Sequence, residues 1–228
     1  MIRAFFATMV LCFGSANAAV IDFSQFNAGD LVTTLVADGV GITVNSRAYR
    51  PGADPTDRAM VFDSENYTGG DDDLGGPFTD VRGGADLTPG NILILSEDGD
   101  ASDPDDNARG GWIEFVFDTP VDFQRFAAFD INHVGAIDLE LFGASGSLGS
   151  VSNQFAAVEN GFELIEFAMS DVTRAIFSLS GSGAIGNIAL TNSAVQTPLP
   201  AAGLLFGVAF LAGYQRCRRK PLKGNGKL

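Results

Sequence analysis

Most of the clustered acid in this chain sits in two stretches. The first is Asp63-Ser64-Glu65-Asn66-Tyr67-Thr68-Gly69-Gly70-Asp71-Asp72-Asp73-Leu74-Gly75-Gly76. The second is Glu97-Asp98-Gly99-Asp100-Ala101-Ser102-Asp103-Pro104-Asp105-Asp106-Asn107, continuing to Gly110-Gly111. A hard cation such as Ca²⁺ takes roughly six to eight oxygen ligands, which closely spaced Asp, Asn and backbone carbonyls in Gly-rich turns can supply. Carboxylates crowded in this way repel one another unless a counter-ion sits among them. The pattern predicts Ca²⁺ in at least one loop, with Asp71, Asp73, Asp103, Asp105 and Asp106 as first ligands. Asp63 and Asp98 each close an apolar run, so packed strands fix them as second contributors. Asp72 and Asp100 are free to face water. The competing reading makes both loops solvated turns, because Asp and Gly are common turn formers.

Spacing offers one check. Asp103, Asp105, Asn107 and Glu114 stand where an EF-hand loop has its positions 1, 3, 5 and 12. Position 6 is Ala108 where that loop needs Gly, and strand-like segments flank it, so the sequence excludes an EF-hand and keeps a cation-wrapping segment.

Other chemistry is thin. His133 is the only histidine and reads as a strand-end turn residue; no serine is marked out beside it and no nucleophile elbow occurs. Cys12 and Cys217 lie near the two ends, which leaves the middle without a disulfide, a thiolate nucleophile or a Cys-based metal site. Cys217 beside an apolar run is a lipidation candidate, though such a residue is more often incidental. Trp112, Tyr49 and Tyr67 are the aromatics placed to stack on sugar rings, against a blander reading in which Trp112 packs beneath the second acidic loop. Paired Asp and Glu for glycoside hydrolysis can be drawn from 28 carboxylates, so none is singled out. The sequence therefore points to a protein that is not an enzyme, with a secreted polysaccharide hydrolase using Asp/Glu acid–base chemistry as the alternative.

The elements that must hold these loops have a period of two. Ile42/Val44, Met60/Phe62, Ile113/Phe115/Phe117 and Ile137/Leu139/Leu141 each put apolar side chains on one face. Ile92 to Leu95 is apolar on both faces, as in a strand buried on both sides. No capped amphipathic helix interrupts the series. Nine to eleven short strands with turns between them predict an all-β fold, an antiparallel β-sandwich of jelly-roll type, over residues 19–192. Trp112 should face away from Ile113, Phe115 and Phe117.

Charge separates the middle of the chain from its ends. All 28 acids fall between Asp22 and Asp171, and the middle of the chain as far as Arg174 adds seven arginines and no lysine, a formal −21. Such a domain repels nucleic acid and anionic membranes and favours cations. The other seven basic residues are Arg3 and six from Arg216 to Lys227.

Residues 1–18 read as a signal peptide: Arg3, the apolar run Phe5 to Phe13, then Ala16-Asn17-Ala18 as the small-x-small cleavage site. After a linker at 193–198 comes an apolar run, 199–214, and a basic tail, 215–228, with Arg216, Arg218, Arg219 and Lys220. Sixteen helical residues span about 24 Å, short of a hydrocarbon core of roughly 30 Å by a margin that snorkelling basic side chains can cover. The order of Pro motif, short span and basic cluster resembles the PEP-CTERM sorting signals of Gram-negative bacteria, in their VPLPA variety. Pro198-Leu199-Pro200-Ala201 fits, Thr197 stands where Val is usual, and Pro221 to Leu228 overruns the usual end. The resemblance implies export through the inner membrane, transient anchoring by a transmembrane sorting helix, and cleavage near the Pro motif by an exosortase-type protease. Release to the cell surface or extracellular matrix would follow. Together these features predict a non-catalytic, calcium-stabilised surface or matrix protein, with exopolysaccharide as its candidate ligand.

Overall fold

The computed structural model describes residues 18–193, except 53, 69–70, 131–135, 153–157 and 159. Ala16, His133, Cys12, Cys217 and the sorting residues Thr197 to Ala201 lie outside the described residues. The described chain is all-β, with eleven strands and one 3₁₀ turn at Asp72–Leu74. In order the strands are β1 (Ala19–Ile21), β2 (Thr34–Ala37), β3 (Val40–Ala48), β4 (Ala59–Asp63), β5 (Thr79–Asp80) and β6 (Asn91–Leu95). They continue as β7 (Gly111–Phe129), β8 (Ile137–Gly143), β9 (Gly146–Ser152), β10 (Gly161–Leu179) and β11 (Ala184–Asn192). All pair antiparallel in one sheet apart from the short parallel contact of β5 with β10. No helix among the described residues is long and apolar enough to cross a membrane.

The sheet is organised by β7 and β10, each nineteen residues long. Pro120 stands within β7, and a residue without an N–H cannot donate to a ladder. Around it the β7–β10 register jumps from Val121↔Val172 to Val116↔Arg174. On the other side of β7, β3 leaves at Phe117 and β11 joins at Val121. Asp171 of β10, at φ 60°, bends the partner strand in the same place. Two halves of one sheet result, the first built from β2, β3, β8 and β9 and the second from β1, β4, β6 and β11, with β7 and β10 running through both.

The inward faces of these halves form the main core. Alternation puts Ile42, Val44, Ile113, Phe115 and Phe117 inward from the first half; Val121, Phe123, Phe126, Ile185 and Leu190 enter from the second, where the β7–β11 register shifts between Gly186 and Leu190 change the phase. Phe177 of β10 meets Phe115 edge-on at 5.7 Å and Phe126 at 5.1 Å, so one ring joins the two halves. Burying such a ring contributes roughly 1.5–3 kcal/mol relative to leaving it in water.

A second core lies on the outward face of the second half, where the connection from Ser64 to Gly90 folds over β4, β6 and β7. Leu74 and Phe78 descend from it onto Phe62, Ile92, Ile94 and Phe129, with Phe78 and Phe129 at 4.8 Å. The expectation for Ile92 to Leu95 holds. Leu93 and Leu95 enter the main core, Ile92 and Ile94 the second, and here the covering layer is a connection rather than another strand. Hydrogen bonds from Ser64 to the Gly90 carbonyl close the ends of this cover. Arg82 pins its middle to the fully buried Glu163 at 2.7 Å. The cover also carries the first acidic loop.

Candidate cation-binding loops

The second acidic loop leaves β6 at Ser96 and returns within the same hydrogen-bonding frame. Glu97 N–H donates to the Asp105 carbonyl (3.2 Å) and Asn107 N–H to the Leu95 carbonyl (2.8 Å), with a bridge between Ser96 and Asp106. The Asn107 amide donates to the carbonyls of Tyr49 and Gly110, which fixes the exit into β7. Asp106 ties the loop to the β10–β11 turn: its carboxylate accepts from the Ser182 hydroxyl and the Gly183 N–H. The Arg58 side chain lies against Gly99 of this loop, and its buried Nε has no hydrogen-bond partner among the described residues.

The first loop meets the second through one contact. Asp71, which precedes the 3₁₀ turn, accepts the Asp106 N–H at 2.6 Å. Asp71 therefore enters the field of the second loop. Burial raises its pKa; the Asp106 N–H opposes the rise, and the charges of Asp73, Asp103 and Glu97 add to it. Asp105 is pushed up to about 6, by burial first and then by Asp98, Asp71, Glu97 and Asp103. Its Oδ1 is buried without a hydrogen-bond partner. Asp106 is pushed up to about 7 by burial, against the donors Ser182 and Gly183, with Asp71 and Asp130 adding repulsion.

The predicted ligands thus divide. Asp71, Asp73, Asp98, Asp103 and Asp105 share one electrostatic neighbourhood. Asp106 shares it too, but its oxygens are engaged by Ser182 and Gly183. Asp63 is turned to its own corner, with Oδ1 accepting from the N–H groups of Glu65 and Asn66. Glu97 belongs to the neighbourhood and was passed over in sequence; its place at the mouth of the second acidic run was the available signal. The donors are all oxygens, which suits a hard ion. As they are placed, no three His, Cys, Asp or Glu side chains among the described residues converge on a single ion position.

The remaining candidates scatter. Glu114 lies on the outward side of β7 and binds the Asn45 amide at 2.8 Å and Arg174 at 3.4 Å, far from any EF-hand role. Trp112 does point away from the core, between Arg47 and Ser178 in register. Tyr49 and Tyr67 are exposed, Tyr67 stacking on Phe62 at 6.1 Å. No protein-family model matches the chain, and no curated protein matches it in sequence.

Proposed function

We propose that this protein is an exported, non-catalytic β-sandwich of the cell surface or extracellular matrix whose two acidic loops are drawn together around Ca²⁺. The observation that carries the reading is Asp105, a carboxylate with a buried, partnerless oxygen set among four like charges. Burying a charge without a partner is costly, and a cation relieves the burial and the repulsion together. Asp71, Asp105, Asp103 and Asp98 would supply oxygens, and the same ion would screen the nearby charges of Glu97 and Asp73. Small side-chain rotations would be needed to bring three of them onto one ion. The jelly-roll sandwich is the architecture we assign to the two facing halves of the sheet. Export and sorting rest on the terminal segments, and the exosortase-type protease is the partner they imply.

Melting temperature tests the calcium reading. A ligand that binds only the folded state adds RT ln(1 + [L]/Kd), about 2.7 kcal/mol at a hundredfold excess over Kd. The full-length protein should melt lower in EDTA, recover with Ca²⁺, and recover less with Mg²⁺, which demands a tighter octahedral shell. An EDTA-insensitive melt of metal-loaded protein would remove the ion from the reading.

A second reading has one observation in its favour. A carboxyl raised to about 6 is in the range of a general acid, so Asp105 would be the proton donor of a secreted polysaccharide hydrolase. Release of reducing ends from polysaccharide, lost in Asp105→Asn, is the result that would support it.

A further inference from the structure

The ladder between β7 and β10 opens twice in succession. Glu166 pairs with Arg125, Met169 with Phe123, and Val172 with Val121, so β10 spends two residues in each interval where β7 spends one. Paired bulges on one strand splay the two backbones and re-aim the side chains. A groove of about 420 Å³ occupies this place, within the range of roughly 300–1,000 Å³ usual for small-molecule sites.

Its walls are mixed in a particular way. Phe167 lies between the core and the groove, stacked on the fully buried Phe123 at 5.6 Å and 9°. Arg125 reaches Glu166 only at 3.9 Å, and its Nε is buried with no hydrogen-bond partner. Asp122, which accepts from Ser193 at 2.8 Å, and Gln124 line the β7 side. Ser170 lines the β10 side, where Glu166, Ala168 and Ser170 are open to solvent.

We propose that this groove binds a neutral pyranose unit of a polysaccharide. A sugar hydroxyl donates to one group while accepting from another, which matches carboxylates set beside a guanidinium whose side chain is 34% exposed and bonded to Glu166 only loosely. The C–H face of the ring matches an aromatic floor. Two carboxylates against one arginine, in a region of formal charge −21, disfavour an anionic sugar. The proposal deepens the non-catalytic surface reading above and is independent of its calcium site, because no residue of the acidic loops lines the groove.

Native affinity electrophoresis tests it. The full-length protein, in a polyoxyethylene detergent free of sugar headgroups, is run in gels containing hydroxyethylcellulose, dextran, mixed-linkage β-glucan or alginate. Retardation is expected in at least one neutral gel, with the apparent affinity cut at least tenfold by Arg125→Ala and by Ala168→Trp, which fills an exposed part of the groove. Glu166→Ala, at a side chain 70% exposed, provides a variant whose folding is not at risk. No retardation in any neutral gel, retardation confined to alginate, or retardation of all three variants equal to that of the unsubstituted protein overturns the proposal. Repeating the gels in EDTA separates the two readings. An EDTA-insensitive melt of metal-loaded protein with retained retardation sinks the ion alone, and an EDTA-sensitive melt with no retardation sinks the groove alone.

Discussion

The Asp106 N–H donates to the Asp71 carboxylate at 2.6 Å, joining two loops whose contact residues are 35 positions apart. That bond draws a second cluster of negative charge onto the first. It opposes the rise of the Asp71 pKa while the neighbouring carboxylates and burial promote it. The loops are therefore held together by the backbone and pushed apart by their side chains, an arrangement whose stability depends on what neutralises the charge.

Protons should do so when metal is removed. An acid whose pKa is higher in the folded state than in the unfolded state makes the folded protein bind more protons, so stability falls as pH rises through the interval. For Asp105 that interval runs from 3.8 to about 6, and for Asp106 from 3.8 to about 7. The lowered pKa values of Asp22 and Asp100 act below this window and in the opposite sense. In EDTA the melting temperature should drop between pH 5 and pH 8, and Ca²⁺ should flatten the drop. A melting temperature in EDTA that rises over the same range would contradict the shifts.

Asp105→Asn should have two effects of opposite sign. Without calcium it removes a repelled charge and raises the melting temperature at pH 8. With calcium it removes an oxygen ligand and shrinks the gain that the ion produces. Asp171→Asn, on the bend of β10, should leave the calcium gain as it was. Calorimetric titration of both variants decides the matter, and equal affinities would make Asp105 an ordinary turn residue.

Ser182→Ala should destabilise by about 1–3 kcal/mol at pH 8, the cost of leaving a buried charged acceptor short of its donor. Near pH 5 the loss should be smaller, since Asp106, raised to about 7, is then largely protonated. Urea unfolding at the two pH values measures the difference. The same loss at both would mean that the Ser182 hydroxyl serves packing alone.

Arg82→Met should loosen the cover from Ser64 to Gly90. Glu163 is fully buried while Arg82 is 45% exposed, so the loss should exceed the ~1 kcal/mol of a surface pair without reaching that of a wholly buried one. Replacing both residues by Met should recover much of it, because the buried carboxylate goes too. Denaturant unfolding of the single and double variants tests this, with no recovery in the double variant as the adverse result.

Local pattern carried much of the fold. Ile113, Phe115 and Phe117 announce their inward face by alternation alone, Trp112 its outward one, and Ile92 to Leu95 a strand buried on both sides. Side chains on a strand alternate by covalent geometry, so a few neighbouring residues are enough to read them. The crowding of acid into two loops is equally visible in sequence. Which acids meet depends on long-range packing. The register shift of the β7–β10 ladder around Pro120, the cover seated by Leu74 and Phe78, and the return of the second loop onto β6 bring Asp71 to Asp106 and give Asp105 its charged neighbours. The same folding spends Asp106 on Ser182 and leaves Asp63 with its own turn. Repulsion and hydrogen bonding act over a few ångströms of space, and residues dozens of positions apart acquire such a distance only when the cores between them have packed.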